Sequence, residues 1–184
     1  MVREHGVTEL SLKEVAKKAG FGNPASLYRY FGSKQEILVA LARQSLTALR
    51  DYLRQAPLGG SAEDRLVTLM LAYLEFARDH PEEIDLMFES LRRLSPADQE
   101  MALPGGVFEI IDEAVRRAID EGVLPHRSEE EVHVMWHGAW ALVHGLAAIE
   151  QLHGGEHGEM LARHHETVVR AYIRGLKVGV GRRS

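Results

Sequence analysis

Four side chains within residues 28–34 are suited to gripping a polyanion: the phenols of Tyr28 and Tyr30, the guanidinium of Arg29 and the ammonium of Lys34. Hydroxyls and cations of this kind are the ordinary hydrogen-bond donors to phosphate oxygens. Just upstream, Asn23 is a good helix N-cap and Pro24 suits the first helical position. A helix start favours an anion because its free N–H groups and its dipole point outward. Ala25 and Ser26 follow, small residues that allow a close approach to the helix start. The chemistry in this stretch is binding.

Bond-making chemistry has little support elsewhere. There is no cysteine, which excludes a disulfide framework, a thiolate zinc site and a cysteine nucleophile. No GxSxG, P-loop or GxGxxG pattern occurs. Glu82, Glu83 and Asp85 follow Pro81, and acidic residues at a helix start complement its dipole better than they serve acid–base work. The chain holds 10 histidines. His133 and His137 stand at i, i+4, a spacing that can bind zinc or nickel. No H-E-x-x-H pattern accompanies them, and neutral histidines at a helix–helix interface are the simpler reading. The chain is therefore expected to be no enzyme, with no cofactor and no metal.

The elements that position these residues read as helices throughout. No period-2 run with hairpin turns is present, and glycine and proline fall between the periodic segments. Eight helices are expected, over 11–19, 24–31, 33–55, 62–79, 82–94, 105–121, 128–153 and 157–177. Segment 11–19 sets Leu12, Val15, Ala16 and Ala19 on one face. Ser33 with Glu36 forms a capping-box pattern, and Ser61 caps the next long helix. The 184 residues with 45% hydrophobic content can fill a core. The net charge of −5 hides a split: residues 1–54 carry nine Lys+Arg and five Asp+Glu, and the remainder is strongly acidic. A basic head on an acidic body suggests one polyanion-facing end. Val2, Arg3, Glu4 and His5 follow Met1 without an apolar run. The long apolar stretch Val132–Ile149 is broken by His133, His137, Gly138, His144 and Gly145, so it reads as a buried helix, and the chain as cytoplasmic with no membrane partner.

Two short helices joined by a glycine-containing turn, with a long helix directly after, form a helix-turn-helix layout; its second helix would present N-terminal residues to the major groove. Ser11-Leu12-Lys13-Glu14-Val15-Ala16-Lys17-Lys18-Ala19-Gly20, then Ser26-Leu27-Tyr28-Arg29-Tyr30-Phe31-Gly32-Ser33-Lys34, resembles the DNA-binding domain of TetR-family transcriptional regulators over residues 6–36. The later Trp136-His137-Gly138 and Val143-His144-Gly145 are similar to patterns in some C-terminal domains of that family. The resemblance implies that Ser11 and Lys13 contact phosphate or a base. It implies that Ala25, Ser26 and Tyr28 face the groove, that Tyr28, Tyr30 and Lys34 touch phosphates, and that Leu27 and Phe31 are core. Arg29 would read guanine or grip backbone, and Asn23 completes the DNA-binding set. The turn before Leu27 is one residue longer than the commonest family spacing. The family also has a helix ahead of the motif, of which Val2–Gly6 resembles only the last turn, so the head reads as truncated there.

The resemblance further implies an all-α fold: a helix-turn-helix head over residues 1–45 and an effector-binding, dimerising body over 46–184. Its function would be that of a ligand-responsive repressor that releases a palindromic double-stranded operator on binding a small apolar or amphipathic effector. Among the aromatic and methionine residues of the body, Tyr73, Met87, Phe88, Arg92, Phe108, Trp136, His137, Trp140 and His144 are the expected ligand contacts. Helices 128–153 and 157–177, with their small residues, are expected to form the homodimer interface. The alternatives are a helical ligand-binding module that no longer binds DNA, or a metal sensor using His133 and His137.

Overall fold

The computed structural model describes residues 24–57, 59–103, 106–153 and 155–177, and every statement below concerns these. They form one 3-10 helix, Pro24–Arg29, and eight α-helices, with no strand among them. The helices are α1 (Lys34–Arg54), α2 (Ala62–Asp79), α3 (Pro81–Leu91), α4 (Pro96–Ala102), α5 (Val107–Asp120), α6 (Glu129–His153), α7 (Gly155–Ala162) and α8 (His165–Lys177).

Caps account for several of the boundaries. Ser33 Oγ accepts from the Glu36 backbone N–H at 3.1 Å. The Glu36 carboxylate reaches past the cap residue to the N–H of Gly32, at 2.9 Å, so the expected box at α1 closes one residue upstream. At α2 the box is complete: Ser61 Oγ accepts from Asp64 N–H, and Asp64 Oδ2 accepts from Ser61 N–H. These bonds to Ser61 hold the Asp64 carboxyl below its usual range. Ser128 and Glu131 pair in the same way at the start of α6.

Three expectations change, two of them boundaries. The helix expected over 82–94 ends at Leu91, and α4 follows, a seven-residue helix missing from the sequence reading. Ser95 caps it through the Asp98 N–H, with Pro96 in its first turn; seven residues are too few to display a clear apolar period. The single helix expected over 157–177 is two, α7 and α8, parted at Arg163 and His164. The His164 N–H bonds Leu161 O at 2.9 Å, a tight i→i−3 closure that ends α7 with no glycine or proline to announce it. Helix α6 is not the buried helix expected. Val132, Met135, Val143 and Ala147 are buried, but Val134, Ile149 and Leu152 are 64%, 47% and 80% exposed. Among the described residues it alone is long and apolar enough to cross a membrane. A core helix of a soluble bundle passes the same test, and α6 packs along α2, α5, α7 and α8.

By contact the chain divides into two compact units, Met1–Thr47 with Glu82–Pro104, and Ala48–Pro81 with Gly105–Ser184. In the first, Leu38 and Ala42 of α1 pack with Leu94 and Ala102, flanked by Val39 and Leu91. Arg43 donates to the backbone oxygen of Met101, and Ser45 Oγ to Glu83 Oε2 at 2.5 Å. In the second, α2 is the central element, packed against α5, α6 and α8. Its buried face runs through Leu66, Leu69, Met70, Tyr73, Leu74 and Phe76. Gly106, the N-cap of α5, sits at φ 113°, and a Cβ there would stand 2.9 Å from Arg50 Cδ. Only glycine meets both demands without strain.

Candidate DNA-binding surface and effector region

The short helix over Pro24–Arg29 has Leu27 as its buried residue. Leu27 is 2% exposed, and its carbonyl accepts from the N–H groups of both Tyr30 and Phe31, at 2.9 and 3.0 Å. Around it, Tyr28 and Tyr30 are 48% and 72% exposed. Ala25, Arg29 and Lys34 are exposed and Ser26 is half-buried. The helix is of 3-10 type and ends at Arg29 rather than Phe31. Side chains three apart align in a 3-10 helix, which stacks Ala25 with Tyr28 and Ser26 with Arg29. Ser11, Lys13 and Asn23, with the helix expected over 11–19, lie outside the described residues.

Of the expected effector contacts, Tyr73, Phe108, Trp136, His137, Trp140 and His144 belong to the second compact unit, and Met87, Phe88 and Arg92 to the first. Tyr73 of α2 is buried, its hydroxyl 3.4 Å from Nδ1 of His144 on α6. Burial pushes the Tyr73 phenol up, with a bond to Trp140 acting weakly the other way, and pushes the His144 imidazole down. Both groups are neutral at pH 7 as a result, one donor facing one acceptor. Trp140 stacks over His144, ring centroids 6.4 Å apart. A second cluster forms one turn earlier: Trp136 lies 3.9 Å from His137 in a stack and 5.0 Å from Phe108. In the first unit Met87 is buried, while Arg92 is paired with Glu89 at 2.6 Å. Glu89 also pairs with Arg93.

The histidine pair is poorly prepared for a metal. Trp136 Nε1–H donates to His133 Nδ1 at 3.0 Å, so a neutral His133 carries its proton on Nε2, where a metal would need the lone pair. His137 Nδ1 faces its backbone acceptor, His133 O, and keeps the other tautomer. No group of three or more His, Asp or Glu among the described residues is placed to hold a metal ion.

A polar cluster absent from the sequence reading lies between α2, α6 and α8. Glu150 accepts from Arg78 Nε at 2.7 Å and from its Nη2 at 3.3 Å. Nε2 of the buried His165 is 3.6 Å from Glu150 Oε2. Burial pushes His165 down; Glu150 draws it up and Arg78 pushes it down again. The available signal was Glu150 itself, the one carboxylate in α6 after Glu131.

The described residues form a short 3-10 helix with exposed phenols on and beside it, followed by helices throughout. The chain belongs to the TetR family: the description "Bacterial regulatory proteins, tetR family" matches residues 1–41, and "Tetracyclin repressor-like, C-terminal domain" matches residues 66–176. The fold agrees. The TetR-family transcriptional regulator PfmR of Thermus thermophilus superposes with a TM-score of 0.65 at 22% identity, over 97% of this chain and 93% of that one. A protein of Shewanella sp. PV-4, assigned to the same family of transcription regulators, does so with a TM-score of 0.68 at 20% identity, over 96% and 92%. The protein is a TetR-family transcriptional regulator with an all-helical fold.

Proposed function

We propose that this protein is a ligand-responsive repressor acting in the cytoplasm. Residues 1–45 bind a palindromic operator, and residues 46–184 form the homodimer and take up a small apolar or amphipathic effector that releases the DNA. The observation that carries the reading is the pair of exposed phenols, Tyr28 and Tyr30, just after the buried Leu27 in sequence with Arg29 and Lys34 beside them. Two large exposed aromatics, one on the short helix and one directly after it, fit a partner that supplies phosphate oxygens. For the effector, support comes from Tyr73 and His144, a neutral polar pair among aromatics, which would orient an uncharged group within an apolar site. For the homodimer, support comes from Val134, Ile149 and Leu152, which leave α6 an apolar exposed surface.

The test is fluorescence-anisotropy binding to fragments of the gene's own upstream region at low and moderate salt, with Tyr28→Ala alongside. Sequence-selective binding that weakens steeply with salt and collapses in the variant is expected. Nonselective binding, or a variant that binds like the parent, would refute the assignment of the head.

A further inference from the structure

Helix α6 ends at His153, and α7 begins two residues later, at Gly155. Gly155 stands at φ 52°, a left-handed conformation that glycine adopts without strain. The turn brings α7 against α6. Gly158 is buried there, and a Cβ on it would stand 3.1 Å from Glu150 O. This close approach sets His153 and His157 side by side, ring centroids 4.8 Å apart and planes tilted by 49°. Both histidines are exposed, so their rings are open to an ion from solvent.

These two rings are prepared for a shared ion where His133 and His137 are not. Nδ1 of His153 lies 2.9 Å from Ile149 O. A carbonyl only accepts, so the neutral ring carries its proton on Nδ1 and its lone pair on Nε2. Metal-binding imidazoles are ordinarily oriented by a bond of this kind from the other nitrogen. His133 has the reverse arrangement, its Nδ1 accepting from Trp136. Two imidazoles that share a tetrahedral ion, each nitrogen about 2.0–2.1 Å from it, hold their ring centres about 5 Å apart. The observed separation of 4.8 Å fits that arrangement. Charge agrees, because α7 carries Glu156 and Glu159 and neither lysine nor arginine.

We infer that His153 and His157 form an open site for a divalent transition-metal ion, one per chain, with water in the remaining positions. Two imidazole nitrogens select nickel, copper or zinc over magnesium and calcium, which take oxygen ligands. The site stands apart from the Tyr73–His144 region and from any DNA binding. Isothermal titration calorimetry of the full chain with nickel chloride near neutral pH tests it, with magnesium chloride as the control. One nickel ion per chain is expected, and no magnesium. His153→Ala and His157→Ala should each weaken nickel by at least about tenfold. Both are surface changes, and their melting temperatures should match the parent's. His133→Ala should leave nickel affinity unchanged. The inference is overturned if nickel does not bind, if magnesium binds as well, if His157→Ala binds nickel like the parent, or if His133→Ala weakens it as much. One ion per two chains would also overturn it, because ligands from a second copy would then complete the site.

Discussion

Tyr28 and Tyr30 in the first compact unit and Tyr73 in the second carry the same phenol into opposite surroundings. The first two are 48% and 72% exposed and follow the buried Leu27 in sequence. Tyr73 is 5% exposed and faces His144, a residue 71 positions away in the chain. In water a phenol can exchange its hydrogen bonds with solvent. Buried, it is a neutral group that must keep its partner, because an unmatched hydroxyl there is penalised. The difference separates two settings of one group. The exposed phenols are solvated at the surface; the buried one is completed within the protein, by His144.

The sharpest way to break this comparison is at Leu27. Leu27→Ala should destabilise the protein by about 2–5 kcal/mol, the range for a buried leucine, in urea unfolding monitored by circular dichroism. A loss near zero would mean that the short helix is not anchored. Tyr30→Ala should do the reverse: stability within about 0.5 kcal/mol of the parent, as for an ordinary surface change, with anisotropy showing a several-fold loss of operator affinity. Equal loss of stability and binding would erase the distinction between the two tyrosine settings. Tyr73→Phe removes the buried hydroxyl that faces His144 Nδ1 and should destabilise by about 0.5–1.5 kcal/mol in the same unfolding experiment, without a direct effect on DNA affinity.

The smallest effect is on pH dependence. Burial lowers both His144 and His165, so below about pH 6.5, the free imidazole value, the unfolded chain takes up protons that the folded chain resists. Stability is then full above that pH and declines as pH falls through the lowered folded values. The melting temperature should be lower at pH 5.5 than at pH 7.5, and the gap should narrow in His165→Gln. A rise in melting temperature on acidification would mean that Glu150 dominates burial at His165.

Local features were largely legible from the chain itself. Ser33 and Ser61 mark real helix starts, because caps act over a few residues. Within α1, however, Leu41 is only half-buried while Ser45 is 1% exposed and bonded to Glu83. A serine in a core stripe cannot be foreseen without its carboxylate partner 38 residues on. The α7–α8 break escaped for a related reason. Arg163 and His164 are competent helix residues, and what lies beyond the break is a buried histidine beside a carboxylate from α6.

Residue type and spacing by themselves determined the helical class and the family resemblance. These follow from short-range geometry, such as a cap and a turn. Only the tertiary structure decided which polar groups meet. Tyr73 with His144, and Arg78 with Glu150 and His165, each depend on helices brought together from distant parts of the chain. Burial sets the chemistry of such groups, and burial is a property of the packed chain that no local window of sequence contains.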